Sequence, residues 1–253
     1  MIPDTRAPRL AVLIDADNAS ARIAPGLFEE IAKIGEASVR RIYGDFSGTR
    51  LKGWADVLAV HAIMAHQNFA NTVGKNASDI ALVIDAMDLL HSGRFDGFCL
   101  VSSDSDFTRL AARIREQGVD VYGFGEQKTP ESFRQACRRF IYTENLLPEA
   151  PATDAPEKPD ARPTALRRPA KMAEPLLRRA ISQLSDDEDW VSLGPVGKQL
   201  AALNSDFDPR TYGFAKLSSL VAALDGFEID RRAGGGIYVR PKARVAAAVR
   251  KGG

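Results

Sequence analysis

The segment "FCLVSSDSDF", residues 98–107, joins an apolar run to a pair of acidic side chains. The run from Phe98 to Val101 has the composition of a buried β-strand. Asp104 and Asp106 follow it with only Ser105 between them. Two carboxylates this close repel each other unless a cation lies near both. The segment therefore predicts a buried strand that ends in a polar site.

Strand-like and helix-like patterns alternate along the first part of the chain. Further strand-like runs are "LAVLI" (10–14), "VRRIY" (39–43), "VDVYGF" (119–124) and, as an additional candidate, "NFANTV" (68–73). Apolar residues recur at i, i+3, i+4 and i+7 in two places, at Ile80, Val83, Ile84 and Met87 and at Phe107, Leu110, Ala111 and Ile114. This alternation predicts an α/β fold with an open, mostly parallel sheet and helices on both faces.

The composition changes after residue 147. Residues 147–171 are rich in Pro, Ala and charge and have no apolar periodicity, which is typical of an extended linker. We therefore predict a first domain over residues 1–147, a linker over 148–172, a second domain over 173–242 and a basic tail over 243–253.

The second domain combines helical patterns with a hairpin signal. "YGFAKLSSLVAAL" (212–224) puts Phe214, Leu217, Val221 and Leu224 on one helical face. "FEIDRRAGGGIYVR" (227–240) alternates apolar and polar residues on both sides of a glycine-rich turn, which predicts a β-hairpin. Helices followed by such a hairpin predict a small winged helix-turn-helix domain.

Several classes of protein are disfavoured by what the sequence lacks. There is no run of 18 apolar residues, and the N-terminal "MIPDTRAPRL" has no apolar segment typical of a signal peptide. Cys99 and Cys137 are expected to be core thiols, since their spacing does not suit a metal site. No GxGxxG or GxxxxGK motif is present, which excludes dinucleotide-binding and P-loop sites. We expect a soluble, cytoplasmic protein with no membrane partner.

Carboxylates follow several of the predicted strands. The first strand runs into "DADN" (15–18), the second into Asp45, and Asp79 opens a helix. The carboxyl ends of parallel strands share one edge of a sheet, so these groups should converge there. Each one alone could be no more than a helix cap. The set of at least four instead favours a hard divalent cation such as Mg²⁺ or Mn²⁺.

One enzyme class competes for the same residues. "DADN" resembles the DxD start of haloacid-dehalogenase-type phosphatases, in which the first Asp is a nucleophile and the second an acid. That family usually has Thr or Val two residues after the second Asp, whereas Ala19 stands here. Its later Thr/Ser and Lys motifs find no convincing place in the chain, so this alternative is the weaker one.

Five separated blocks resemble the NYN family, a branch of the PIN-like metal-dependent ribonucleases. They are "LAVLIDADNAS", "RIYGDF", "GKNASDIALVIDAMDLL", "FCLVSSDSDFTRLAARIREQGVDVYGFG" and "TPESFRQACRRFIY", which together extend over about residues 9–147. The resemblance implies a Mg²⁺- or Mn²⁺-dependent endonuclease that acts on RNA. By position in these blocks, the implied acidic ligands are Asp15, Asp79, Asp104 and Asp106.

The resemblance also implies roles for residues beside these ligands. Asn18 would orient the nucleophilic water or a phosphate, whereas Asp17 stands at a variable place in the motif. Lys75 and Asn76 could meet the phosphates of the substrate or simply form an exposed loop.

Two further acidic residues lie near these ligands. Asp45 would line the pocket. Asp85 lies about 240° round the helix from Asp79, so we do not expect it to contact the metal.

The string "WVSLGPVGKQLAALNSDFDPRTYGFAKLSSLVAALDGFEI" is similar to the LOTUS (OST-HTH) domain. The similarity implies binding of RNA, including structured or G-rich RNA, or docking of a partner protein. The implied phosphate-binding candidates are Lys198, Arg210, Lys216, Arg231, Arg232 and Arg240. Tyr212 and Tyr238 could stack on bases or pack in the core.

The sequence thus predicts a metal-dependent endoribonuclease with a C-terminal RNA-binding domain. The alternative from another class is a non-catalytic RNA-binding or scaffold protein that keeps the same fold. The sequence leaves open whether the protein forms a homodimer.

Overall fold

The structure of the protein is a computed structural model, which describes residues 6–68, 77–147, 167–185, 189–232 and 235–242. The chain divides into two compact units, residues 1–151 and 152–253. Each unit has its own apolar core and is described separately.

The first unit is built on a parallel six-stranded sheet with the order β3-β2-β1-β4-β5-β6. Its strands are β1 (Arg9–Asp15), β2 (Glu36–Gly44), β3 (Met64–Gln67), β4 (Gly97–Val101), β5 (Asp120–Gly125) and β6 (Arg139–Tyr142). The central strands β1 and β4 are almost wholly buried, which explains why both appear in the sequence as continuous apolar runs.

The four main predicted strands are present, but two short strands were missed. β3 is an exposed edge strand, so it lacks the apolar run that identifies buried strands. β6 has only four residues, too few to give a clear periodicity. The candidate strand over 68–73 falls outside the described residues except for Asn68, which follows β3.

Helices cover both faces of this sheet, as predicted. They are α1 (Ala24–Ala32), α2 (Lys52–Ala55), α3 (Ala77–His91), α4 (Thr108–Glu116) and α5 (Glu131–Ala136). α1 and α2 contribute Leu27 and Trp54 to one apolar cluster. α3, α4 and α5 contribute residues such as Leu82, Leu110 and Phe133 to the cluster on the other face. The unit therefore has the α/β architecture expected from its sequence.

The helix α3 is present, but its predicted apolar face is only partly correct. Val83 and Met87 pack against the core, as the pattern implied. Ile80 and Ile84 are 60% and 55% exposed, whereas the buried side chains are Leu82, Ala86, Leu89 and Leu90. The segment "IALVIDAMDLL" has apolar residues on more than one side, so two sets fit a helical repeat. In α4 the predicted set, from Phe107 to Ile114, is buried as expected.

The second unit is a small domain of helices and an antiparallel sheet. Its elements are α6 (Glu174–Ser182), β7 (Val191–Ser192), α7 (Leu193–Leu203), α8 (Leu217–Ala222), β8 (Phe227–Arg231) and β9 (Ile237–Pro241). The sheet order is β7-β9-β8, and β8 pairs with β9 as the predicted hairpin. Val196 of α7, Leu220 of α8 and Val239 of β9 are fully buried and belong to one apolar core.

The predicted linker lies mostly outside the described residues. Its described end packs on the second unit: the Arg168 N–H donates to the Thr211 carbonyl at 2.9 Å, and Ala170 packs against the core. Ala173, at the start of the predicted second domain, is fully buried.

Cys99 and Cys137 are both free and buried, as core thiols would be. Burial raises the pKa of the Cys137 thiol to about 12. In the part of the chain that the structure describes, no helix is long and apolar enough to cross a membrane.

Candidate functional site

The candidate site lies where the strand order of the sheet reverses. From β1 the chain continues to β2 and β3 on one side, whereas β4 leads to β5 and β6 on the other. The loops after β1 and β4 therefore diverge and leave a crevice at the carboxyl ends of these strands, the usual ligand site of such sheets. Ile14 is opposite Val101, so Asp15 and Ser102 face each other at this edge.

Asp15 is a buried carboxylate that accepts four hydrogen bonds. Oδ2 accepts from Ser102 Oγ at 2.7 Å and from Asn18 Nδ2 at 2.8 Å. Oδ1 accepts from the backbone N–H groups of Asp17 at 3.0 Å and Asn18 at 3.3 Å. Burial raises the pKa of Asp15, and these hydrogen bonds counteract part of the rise. The carboxylate is thus held in one orientation by the loops after both central strands.

The loop after β4 is a compact turn that continues from Ser102. Ser102 Oγ accepts from the Asp104 N–H at 3.0 Å while it donates to Asp15. Asp104 Oδ1 in turn accepts from the Asp106 N–H at 2.9 Å and caps the short 3₁₀ turn Ser105–Phe107. The cap is therefore Asp104. Phe107, 2% exposed, fixes the turn to the core.

Asp79, in the first turn of α3, has a pKa that is sensitive to the other carboxylates of this edge. Burial, followed by the negative charges of Asp15, Asp104, Asp17 and Asp106, raises the pKa of Asp79 to about 6. These five carboxylates therefore lie within electrostatic range of one another. In the described part of the chain, Asp79, Asp104 and Asp106 have no ion-pair partner.

The oxygen donors of this edge suit a hard divalent cation in their chemistry. Their spacing is less favourable. Among the residues that the structure describes, no group of three or more His, Cys, Asp or Glu side chains is close enough to hold a metal ion. The four predicted ligands thus lie at one edge of the sheet and interact electrostatically, but they do not surround a common position that a metal ion could occupy.

Arg50 is a residue of this edge that sequence reasoning missed. Its guanidinium forms an ion pair with Asp17, whose Oδ2 also accepts from Ser78 Oγ at 3.4 Å. Ser78 adjoins Asp79, so Asp17 links the loop after β1 to the start of α3. Arg50 stands in "SGTRLKGW" with no periodic or motif signal, and only the folded chain brings it to the acidic edge.

Two other aspartates have local partners. Asp85 Oδ2 accepts from Arg41 Nη1 and Tyr43 OH, both at 2.7 Å. Asp45 Oδ1 accepts from the N–H and Oγ of Ser47 at 3.0 and 2.6 Å and from Gln67 Nε2 at 2.7 Å. Asp85 thus holds α3 to β2, and Asp45 closes the turn after β2.

The two predicted substrate-binding residues of this unit, Lys75 and Asn76, lie outside the described residues.

Three of the six basic candidates in the second unit are already paired with acids. Arg210 binds Asp208 with two parallel contacts of 3.0 and 2.6 Å. Arg240 Nε donates to Glu228 at 2.7 Å, and its guanidinium lies over the Trp190 ring.

Arg232 pairs with Asp230 at 3.0 Å and stacks on Tyr238, with its guanidinium carbon 3.9 Å from the ring centre. Among the described residues, Lys198, Lys216 and Arg231 are exposed and have no ion pair. These three cations are therefore the more available for phosphate.

A shallow groove of about 460 Å³ lies beside one of these cations. Lys216 and Ser218, at the start of α8, form one side, and Ser192 and Gly194, at the start of α7, form another. The glycine turn of the β8–β9 hairpin closes it with Gly235 and Gly236. In contrast, Tyr212 is 8% exposed and belongs to the core, so it packs rather than stacks on a base.

The repulsion at Asp79 makes a stability prediction. The folded-state pKa of about 6 exceeds the ordinary aspartate value of 3.8, so ionisation destabilises the fold as the pH rises from about 4 to about 6. We expect Asp79→Asn to raise the Tm of the metal-free protein at pH 8 by about 1 to 3 °C, because solvent screens much of the repulsion. The gain should vanish near pH 4.

Thermal melts in EDTA measure this effect, with Asp56→Asn as the control at an exposed carboxylate of the same unit. A Tm that falls or stays constant at pH 8 in Asp79→Asn would show that the carboxylates do not repel one another.

Comparison with known proteins identifies both units. Residues 9–146 match the NYN domain family, and residues 165–239 match the OST-HTH/LOTUS domain. No curated protein matches the chain.

Among solved structures, a protein of unknown function from Vibrio parahaemolyticus is 18% identical, over 56% of this chain and 96% of its own, with a TM-score of 0.46. An uncharacterised protein from Nitrosomonas europaea is 33% identical, over 37% of this chain and 91% of its own, with a TM-score of 0.28. Neither likeness supports an inference, since both TM-scores are below 0.5. The NYN match extends over more than half of the residues, and the chain therefore belongs to the NYN domain family, with an OST-HTH/LOTUS domain as its second unit.

Proposed function

We propose that this protein is a metal-dependent endoribonuclease whose OST-HTH/LOTUS domain binds the RNA that the NYN domain cleaves. NYN domains belong to the PIN-like nuclease superfamily, and OST-HTH/LOTUS domains bind RNA. The observation that carries the proposal is the buried Asp15 carboxylate at the switch point, which accepts from Ser102 Oγ at 2.7 Å and from Asn18 Nδ2 at 2.8 Å. The charges of Asp15, Asp104, Asp17 and Asp106 are near enough to Asp79 to add to the effect of burial on its pKa. Carboxylates gathered in this way repel one another, and a bound cation would relieve that repulsion.

The proposed ligands of Mg²⁺ or Mn²⁺ are Asp15, Asp79, Asp104 and Asp106. Bound by these residues, such an ion would supply Lewis-acid chemistry for attack on a phosphodiester. The residues of the chain have separate tasks. Asp15 is oriented by Ser102 and by Asn18. Asp104 is oriented by the turn that it caps, with Oδ1 engaged by the Asp106 N–H.

Asn18 has hydrogen-bonding groups beyond the one that contacts Asp15. Its Nδ2 donates to Asp15 Oδ2 at 2.8 Å, and its side chain lies on the exposed loop after β1. We propose that Asn18 holds Asp15 in place and uses its remaining donor and acceptor to orient the attacking water or a phosphate oxygen.

A second candidate function is a non-catalytic RNA-binding protein with the nuclease fold. It is favoured by one observation: no three carboxylates of the described residues stand close enough to hold a metal ion. The phosphatase alternative is weaker, because its second aspartate must act as an acid. Here Asp17 forms an ion pair with Arg50, so its carboxylate is already engaged.

In the OST-HTH/LOTUS domain, we propose that RNA phosphates contact the groove beside Lys216. Lys216 has no ion pair in the described part of the chain, and Gly194 and Gly235 leave open space around the groove. Tyr238, stacked under Arg232 next to the hairpin turn, offers a flat surface for a base.

The nuclease proposal predicts a loss of cleavage in Asp104→Asn. We expect wild type to cleave RNA with Mn²⁺ or Mg²⁺ and not with EDTA, and Asp104→Asn to cleave at least about 100-fold more slowly, because a ligand of the ion is lost. RNA affinity should stay within about 3-fold of wild type, since cleavage and binding rest on different groups.

Cleavage assays with purified full-length protein measure the rate, and Asp88→Asn, at an exposed site on α3, serves as the matched control. Tight RNA binding by wild type without any metal-dependent cleavage would reject the enzyme and favour the binding protein.

The groove proposal predicts a weaker, less salt-dependent complex in Lys216→Ala. We expect RNA affinity to fall about 3- to 10-fold and the slope of log affinity against log salt to decrease by about 1, because one phosphate contact is lost. Fluorescence anisotropy with labelled RNA at several salt concentrations measures both quantities.

The control is Arg179→Ala, an exposed cation on α6 that does not line the groove. Equal affinities and slopes for the two variants would place RNA elsewhere on the domain.

A further inference from the structure

Arg50 brings a positive charge to the acidic edge. In the described residues it is the basic side chain that forms an ion pair with a carboxylate of this edge, through Asp17. Asp17 also contributes to the field that raises the pKa of Asp79. Arg50 thus lies next to the carboxylates proposed to hold the metal, and a phosphate of the RNA must approach the same place.

The backbone that carries Arg50 is firmly held. The next residue, Leu51, is 5% exposed and packs against Gly44. The contact is so close that a Cβ atom added to Gly44 would lie 2.6 Å from Leu51 Cδ1. Trp54, 2% exposed, donates from Nε1 to the Ala19 carbonyl at 2.8 Å. This hydrogen bond joins α2 to the loop that carries Asp17. The base of the Arg50 side chain is therefore fixed relative to the acidic loop.

The tip of the Arg50 side chain is, by contrast, open to solvent. The side chain is 69% exposed, compared with 28% for Asp17. An ion pair this exposed contributes little to stability, so the guanidinium loses little when it leaves Asp17. A phosphate offers the planar guanidinium a bidentate contact at least as favourable as a carboxylate. The pair is suited to exchange one anion for another.

We propose that Arg50 binds a phosphate group of the RNA at the acidic edge, where it exchanges the carboxylate of Asp17 for the phosphate. This inference rests on the proposed function. It agrees with a set of metal ligands that does not include Asp17, because Asp17 is paired with Arg50 in the free protein. It also explains how a polyanion reaches an edge with five carboxylates: Arg50 attracts the phosphate that the carboxylates repel.

The competing interpretation is that Arg50 merely neutralises Asp17. The two interpretations differ in what the loss of each partner does. If Arg50 binds phosphate, Arg50→Ala weakens substrate binding, whereas Asp17→Asn leaves it intact. If the pair is only structural, both substitutions have the same effect.

The chain offers a matched control at the opposite edge of the sheet. Arg138 forms an ion pair with Asp120 at the amino end of β5, and its side chain is 60% exposed. It resembles Arg50 in partner and exposure but lies away from the carboxyl ends of the strands. Arg138→Ala therefore controls for the loss of a surface ion pair and of one positive charge.

The test compares Arg50→Ala, Arg50→Lys, Asp17→Asn and Arg138→Ala for cleavage of a short single-stranded RNA with Mn²⁺. We expect Arg50→Ala to raise KM about 10- to 50-fold with kcat within about 3-fold of wild type, the size of one lost charged hydrogen-bond contact. Arg50→Lys should recover part of the loss, and the other two variants should keep KM within about 3-fold. A KM for Arg50→Ala equal to that of Arg138→Ala, or an equal rise in Asp17→Asn, would overturn the inference.

The affinity for the same RNA in Ca²⁺, without turnover, separates this inference from the proposed function. If wild type does not cleave RNA, the proposed nuclease fails. A loss of about 10-fold in the affinity of Arg50→Ala relative to Arg138→Ala would still establish the phosphate contact. Equal affinities of those two variants would reject it, whatever the activity of wild type.

Discussion

The hydrogen bonds on the buried Asp15 carboxylate are the constraint on which the candidate site depends. They join the loop after β1, through Asn18 and the Asp17 N–H, to the loop after β4, through Ser102. These loops run in opposite directions from the switch point of the sheet, and the shared carboxylate connects them there. Parallel sheets generally have a crevice at the switch point, and the buried, hydrogen-bonded Asp15 gives this crevice a fixed geometry.

The edge is electrostatically unbalanced, and its parts can be understood from that imbalance. Burial and the neighbouring negative charges together raise the pKa of Asp79 to about 6. Arg50 offsets the charge of Asp17, while Asp79, Asp104 and Asp106 have no cationic partner among the described residues. A protein of net charge +1 has enough basic residues to neutralise these groups, yet it pairs many of them elsewhere, as in Arg41–Asp85. The remaining negative charge is what the proposed divalent ion would neutralise.

The sequence predicted the parts of the molecule that depend on apolar patterning. The buried strands β1 and β4, the amphipathic α4 and the hairpin of the second unit carry their signal locally. The prediction of the buried face of α3 was only partly correct, because apolar residues extend around the helix and packing against the sheet decides which of them are buried. The strands β3 and β6 were not predicted, because β3 is exposed and β6 is short.

The acidic residues of the site were equally visible in the sequence, since they follow strands in a recognisable order. The ion pairs were not. Arg50 reaches Asp17 across 33 positions, and Arg240 is matched by Glu228 on the neighbouring strand. Such pairings depend on the folded chain and separate the free cations, such as Lys216, from those already engaged. Sequence order alone contains no such distinction.

The location of Mn²⁺ in crystals of the full-length protein tests the central claim most directly. Anomalous scattering from crystals soaked in Mn²⁺ would show where the ion binds. The account predicts a peak at the carboxyl ends of β1 and β4, in contact with oxygens of Asp15, Asp79 and Asp104, which move together around it. No peak at this edge, at Mn²⁺ concentrations that saturate ordinary carboxylate sites, would contradict the account and leave the NYN domain without a metal centre.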